Sequence, residues 1–228
     1  MLTRTDPDMS RGAKGLSLFI VPKDRFDGHS FRMEQPAGGL LEGKADRTPG
    51  YRGMHSYTMQ LDRYFVPGEN LVGGEGQGFY LQMSGFAAGR LQTGGRATGL
   101  SMAALQAAAN YSNERGQFGK PIGEYGLTRH KLGTMAVEVA ASRELTYHAA
   151  RIFDEDERRA LEPAMAKLFT CDVAVRTTQE AQLLHGGWGF AEEFPICRYA
   201  IDALVLPIFE GVKPILELKV IGRSLLAA

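Results

Sequence analysis

The side chain best placed to do chemistry is Glu210, in the run Pro207-Ile208-Phe209-Glu210-Gly211-Val212-Lys213-Pro214, where one carboxylate stands between bulky apolar residues and a glycine. Such a carboxylate is either desolvated, and so strengthened as a base, or an acid at the start of a helix marked by Pro214, whose positive dipole end it complements. These eight residues leave both readings open. A second candidate is Arg115-Gly116-Gln117-Phe118-Gly119-Lys120-Pro121-Ile122. Two glycines and a proline interrupt a helix there, and an arginine and a glutamine beside a phenylalanine in a loop suit binding better than core packing. His185, just ahead of Gly186-Gly187, is a possible catalytic group, but a histidine in the last turn of a helix more often complements the dipole. Gly73-Gly74-Glu75-Gly76-Gln77-Gly78 carries the glycines of a phosphate loop without its Lys-Ser/Thr and without a strongly hydrophobic strand leading in. It reads as a flexible turn into a helix.

The elements that must position these residues divide the chain in two, at residues 1–72 and 73–228. In the first part Leu16-Ser17-Leu18-Phe19-Ile20-Val21, closed by Pro22, and Tyr57-Thr58-Met59-Gln60-Leu61-Asp62, ahead of Val66-Pro67, read as strands. Gly38 to Arg52 is rich in glycine, proline and charge and reads as a loop. The opening Met1-Leu2-Thr3-Arg4-Thr5-Asp6-Pro7 looks like the middle of a strand-and-turn region, as if the chain began inside a larger fold. From Glu75 the hydrophobic period changes from two to about 3.6. A long helix to about Arg115 carries Ala97, Leu100, Ala104, Ala108 and Tyr111 on one face, with Gly89, Gly94, Gly95 and Gly99 marking close approach of a backbone or ligand. A second helix carries Leu132, Met135, Val139, Leu145, Ala149 and Ile152 and ends in the acidic run Asp154 to Glu157, a solvated turn. A third runs from Pro163 through Leu168, Cys171, Val175, Thr178 and Gln182 to His185. Pro195 opens a short helix closing before Pro207, and Pro214 opens the last, with Ile215, Leu218, Ile221 and Leu225 as its apolar face. The second part is a helical bundle and the whole is α+β, mainly α.

Composition narrows the function classes. Across 228 residues, 26 Lys plus Arg balance 26 Asp plus Glu, so no global field recruits nucleic acid or an anionic membrane. A 44% hydrophobic chain of this length buries a sizeable core. It has neither an apolar run of about 18 residues nor an apolar segment near Met1, so neither a membrane span nor a secretory signal is expected. Cys171 and Cys197 are too far apart for a CxxC metal knuckle and read as unpaired thiols, which places the chain in the cytoplasm.

Four separated motifs, in order and in register, resemble the acyl-CoA dehydrogenases: Tyr51-Arg52-Gly53-Met54 with Val66-Pro67-Gly68-Glu69-Asn70-Leu71; Arg115-x-Gln117-Phe118-Gly119-Lys120-Pro121-Ile122; His185-Gly186-Gly187-Trp188-Gly189-Phe190; and Ile208-Phe209-Glu210-Gly211. Ala87 to Thr93 and the Glu-Gly-x-x-x-Ile ending are similar to the methylsuccinyl-CoA dehydrogenase branch. The resemblance implies part of a middle β-barrel-like domain followed by a C-terminal four-helix bundle. It implies FAD as cofactor, an acyl-CoA as substrate, electron-transfer flavoprotein or a similar acceptor, and a homo- or hetero-oligomer. The rival reading is a non-catalytic or partner-dependent subunit of such an assembly, since the early strands of the middle domain have no counterpart here. Residue by residue, Glu210 matches the base that takes the α-proton, and Arg90 matches a position near the active site. Some branches carry the base near Gly89 instead, where glycine cannot serve. Arg115, Gln117 and Phe118 match the loop that reaches the FAD of a neighbouring subunit, and Gly186 and Gly187 the turn that accepts its adenosine diphosphate part. Two departures stand out. The glutamine of this last motif is Gln182, with Leu183 where the family usually has it, and Val212 replaces a threonine found after Glu-Gly in many members.

Overall fold

A computed structural model describes residues 1–226. The chain forms two compact units, Met1–Gly85 and the residues from Phe86 onward.

The first unit holds two three-stranded antiparallel sheets, and among the described residues neither closes into a barrel. One is β1 (Leu2–Arg4), β2 (Leu16–Phe19) and β6 (Leu71–Val72), with β2 central. The other is β3 (Ser30–Glu34), β4 (Leu40–Ala45) and β5 (Tyr57–Asp62), with β4 central. Strand β4 lies inside the stretch whose composition reads as a loop. Its glycine has a pairing role, because Gly43 stands opposite Phe31 and a Cβ there would meet the Phe31 ring at 2.2 Å. The bare backbone lets the ring lie across the strand, beside Phe26 at 4.5 Å between centroids. Leu41 is buried, and the paired Arg32 and Glu42 form an ion pair across β3 and β4. The glycine-rich turn is tight rather than loose. A Cβ at Gly76 would lie 2.5 Å from the Lys14 carbonyl oxygen, and one at Gly78 2.4 Å from Ser17 backbone. The Gly76 amide donates to Ser17 Oγ at 3.0 Å, so these glycines seat the turn against β2.

The second unit is helical. Helix α1 (Gly78–Glu114) enters it and buries Ala87, Arg90, Thr93, Ala97, Ser101, Ala104 and Ala108 at intervals of three to four, all but Arg90 small. Helices α2 (Gly126–Glu155), α3 (Leu161–Leu184) and α4 (Pro195–Ala203) pack with it around Ala104, Ala108, Met135, Ala181 and Ile196. Pro195 stands in the first turn of α4, where its missing N–H loses nothing. The acidic run is a turn only in its second half: Asp154 and Glu155 still belong to the last turn of α2, and Asp156 caps it, hydrogen-bonded to Arg158.

Two faces differ from expectation. Helix α3 buries Ala164, Lys167, Cys171, Ala174, Thr177, Thr178 and Ala181, while Leu168, Val175 and Gln182 are half-buried. It is enclosed on several sides, so its buried positions, Val173 among them, run round the helix and not along one apolar face. The last helix starts with α5 (Lys213–Ile215), widens into a π-wound stretch, Leu216–Gly222, and ends in α6 (Arg223–Leu226). A 3.6-residue face does not survive that winding. Leu216 is its buried residue, while Ile215, Leu218 and Leu225 stay exposed.

Candidate active site and cofactor cradle

The run around Glu210 folds as a bend between α4 and α5. The Lys213 amide donates to Pro207 O at 3.2 Å and closes it. Glu210 has φ +54° and Gly211 φ +101°, both left-handed, which costs a non-glycine residue roughly 1–2 kcal/mol. Backbone strain of this kind persists where the surroundings over-determine it. Here the Arg90 Nε on α1 donates to Glu210 O at 3.3 Å and the Lys167 Nζ on α3 donates to Gly211 O at 2.8 Å. Both cations are buried, 7% and 1% exposed. The half-buried Glu210 carboxylate lies over Gly89, where a Cβ would be 2.6 Å from its Oε2. Helix α5 takes Val212 as its N-cap, so Glu210 stands two residues ahead of the cap and is no first-turn acid. Of the open readings, the structure keeps the carboxylate held against another helix.

Burial sets the electrostatics of this cluster. Desolvation lowers the Arg90 pKa, opposed by the attraction of Glu210. It also lowers that of Lys167, on which Cys171, Glu210 and Asp172 act upward and Arg90 downward. The Cys171 thiol is pushed up to about 12 by burial and stays neutral at ordinary pH. Lys213 pairs with Asp172, which ties the start of α5 to α3.

The second candidate is built differently. Residues 115–122 form a small hairpin of β7 (Gly116–Gln117) and β8 (Lys120–Pro121), with Phe118 at φ +52° and Gly119 at φ +88°. Positive φ at both central positions is the type I′ geometry that suits a two-residue hairpin. Tyr125 fixes the hairpin from below, its hydroxyl donating to Gln117 O at 2.9 Å, and Phe118 at the tip is 94% exposed. Arg115 and Gln117 line an open cavity of about 620 Å³ together with Gly186, Gly187, Tyr111 and Trp188. Gly186 has φ +59°, and no heavy atom lies within 4 Å of a Cβ built at Gly186 or Gly187. The turn therefore presents bare backbone to the opening. Gln182 is spent inside the chain, its Nε2 donating to Gly189 O at 3.0 Å, so it holds the turn that carries these glycines. His185 is 4% exposed, stacked on Tyr111 at 4.3 Å, with Nδ1 2.7 Å from Ala181 O. It occupies the C-terminal cap position of α3, as the capping reading expects.

The structure thus joins Glu210 with Arg90, and Arg115 and Gln117 with Gly186 and Gly187. The expected close approach along α1 holds at Gly89, is an ordinary contact with Thr146 and Thr170 at Gly94, and fails at Gly95 and Gly99, where a built Cβ would meet no neighbouring element within 4 Å. Sequence reasoning missed Lys167, Tyr111 and Trp188. A signal for Lys167 exists, since it stands in register with Ala164, Cys171 and Ala174 on a stripe where a cation has no packing reason to be.

The chain is similar to known proteins along nearly its whole length. The family model for the acyl-CoA dehydrogenase C-terminal domain matches residues 76–226. The (2S)-methylsuccinyl-CoA dehydrogenase of Cereibacter sphaeroides is 42% identical over 99% of this chain and 40% of its own length. Butyryl-CoA dehydrogenase from Megasphaera elsdenii superposes with a TM-score of 0.87 at 34% identity, covering 99% of this chain and 55% of that one. A solved chain from work on the electron transferring flavoprotein of Acidaminococcus fermentans superposes at 0.89 with 32% identity, covering all of this chain and 56% of that one. The chain therefore spans about two fifths to a little over half the length of these relatives.

Proposed function

The chain belongs to the acyl-CoA dehydrogenase family, and from that premise we propose that it supplies the catalytic base and part of the flavin cradle for α,β-dehydrogenation of an acyl-CoA thioester. The observation that carries this reading is the Glu210 carboxylate, strained at its backbone and laid over the one side-chain-free position of the facing helix turn, Gly89. A group so placed takes the proton from the carbon next to the thioester carbonyl. FAD, when bound, supplies the acceptor for the hydride that leaves the β-carbon. Arg90, holding the Glu210 carbonyl oxygen, acts by fixing the bend and adding positive charge beside the base.

The cofactor reading rests on donor chemistry. An arginine, an amide side chain and two bare glycines around one opening suit a pyrophosphate, to which guanidinium and backbone N–H groups give charge-assisted hydrogen bonds. In this reading Arg115 and Gln117 hold the cofactor directly, Phe118 meets a neighbouring subunit, and Gln182 keeps Gly186 and Gly187 in place. The chain would then work in a homo- or hetero-oligomer and pass electrons to an electron-transfer flavoprotein or similar acceptor. The superposition on a chain from the Acidaminococcus fermentans work is consistent with that acceptor. Among the described residues no helix is long and apolar enough to cross a membrane. Two buried free thiols fit a cytoplasmic setting.

The test is Glu210→Gln in the flavin-bearing assembly in which the chain works. This change keeps size and removes the proton acceptor, and deleting a general base lowers rate about 10²–10⁴-fold. Flavin bleaching on acyl-CoA addition is expected to slow by that factor with acyl-CoA binding retained. Undiminished bleaching would remove Glu210 from the reaction.

A further inference from the structure

Lys167 is the largest of the fully buried side chains, and it sits on α3 in a stripe of alanine, threonine and cysteine. A buried ammonium is expensive to desolvate, and packing alone would be served better by methionine or leucine. Among the described residues its hydrogen-bond partner is neither an acid nor a side chain, but the carbonyl oxygen of Gly211 at 2.8 Å. Arg90, from another helix, holds the carbonyl oxygen of Glu210. Two successive carbonyl oxygens of one left-handed bend are therefore each taken by a buried cation from a different direction. We propose that Lys167 is a positioning residue, which locks the Glu210–Gly211 bend and sets the charge facing the Glu210 carboxylate. This rests on Glu210 being the base of the proposed reaction.

The charges around the carboxylate assign Lys167 that weight. Arg90 faces it from α1, and Lys167, Cys171 and Asp172 belong to α3. Burial keeps the Cys171 thiol neutral, and Asp172 is occupied by Lys213 at the start of α5. Arg90 and Lys167 are the cations whose charges the Glu210 carboxylate meets here. Both hold the backbone of the bend that carries this carboxylate, one from α1 and one from α3.

The experiment follows Glu210 itself. In protein labelled with 13C at glutamate carboxyls, the Glu210 resonance is identified by its loss in Glu210→Gln and titrated by NMR in the wild type, Lys167→Gln, Lys167→Met and Lys167→Arg. Glutamine keeps a donor for Gly211 O and removes the charge, methionine removes both, and arginine keeps the charge. A midpoint higher than wild type is expected in the glutamine and methionine variants, and one matching wild type in the arginine variant. An unchanged midpoint in a folded Lys167→Gln or Lys167→Met variant overturns the assignment. Failure of both to fold overturns it as well, because Lys167 would then be a fold determinant and not a positioning group. The readout needs no turnover, so it is separate from the base reading, which stands or falls on flavin bleaching in Glu210→Gln.

Discussion

The Glu210 bend and the Arg115–Phe118 hairpin are both strained backbones carrying polar groups, and they are held in opposite ways. The bend is fixed by its own chain through two buried cations, and its carboxylate lies on Gly89. The hairpin is closed by its own pairing and by the Tyr125 hydroxyl, and it leaves Arg115, Gln117 and Phe118 exposed. A left-handed non-glycine residue is present in each, Glu210 at φ +54° and Phe118 at φ +52°. In the bend, intrachain contacts explain why the strain is tolerated. In the hairpin the left-handed pair belongs to a type I′ turn, held by the Tyr125 hydroxyl at Gln117 O and Phe118 O, while the Phe118 ring itself is 94% exposed. One set of polar groups is turned into the chain and the other is turned to solvent.

Gly89→Ala breaks the comparison most sharply. The new Cβ would stand 2.6 Å from Glu210 Oε2, the end of a flexible side chain, so the carboxylate moves and the helix stays. A displacement of about 1 Å in a reacting group lowers rate roughly 100-fold, and that loss is expected in flavin bleaching with the unfolding midpoint nearly unchanged. The hairpin predicts the reverse assignment of effects. Arg115→Ala is expected to weaken FAD about ten- to hundredfold, from the loss of a charge-assisted hydrogen bond, with stability untouched because the side chain is exposed. A flavin titration with the same affinity in both proteins removes Arg115 from the cradle. Phe118→Asn separates strain from contact. Asparagine tolerates the left-handed region, so the hairpin gains about 1 kcal/mol in urea unfolding, while light scattering shifts toward the monomer if the ring meets another subunit. A gain in stability with unaltered assembly leaves the exposed ring without its proposed partner.

How much of this was legible in the sequence follows from the same contrast. Prolines at helix starts and glycines at hairpin turns act locally, so α4, α5 and the break after α1 could be read from Pro195, Pro214 and Gly116 to Gly119. The outward residues of the hairpin were legible because exposure leaves composition undisguised. What stayed hidden depends on distant partners. Lys167 looks like a surface lysine until Gly211, 44 residues on, is seen to receive it. Strand β4 looks like a loop until Gly43 meets the Phe31 ring. The face of the last helix was misread because a π-wound stretch changes the period that the reading assumes. Glu210 itself stayed ambiguous between base and capping acid because its left-handed φ and its contact with Gly89 are tertiary facts.

The smallest expected effect sharpens the comparison within the bend, because a third cation, Lys213, lies near it without being buried. Lys213 donates to Asp172 at the partly exposed start of α5, with side-chain exposures of 42% and 29%. Its pKa is raised from 10.5, chiefly by that hydrogen bond and against some desolvation. A raised folded-state pKa means that the pair's contribution is complete below the unfolded value of 10.5 and disappears as pH climbs through the folded value. Solvent screens a pair this exposed, so Lys213→Met is expected to lower unfolding free energy by at most about 1 kcal/mol at neutral pH. The difference from wild type should shrink in alkaline urea titrations and fall further in high salt. Removing Lys213 frees the Asp172 charge, yet that carboxylate is partly exposed and screened, so the Glu210 midpoint should move much less than in Lys167→Gln. An equal shift in the two variants would mean that net charge near the bend matters and burial does not, and the distinction between its pinned interior and its solvated edge would be lost.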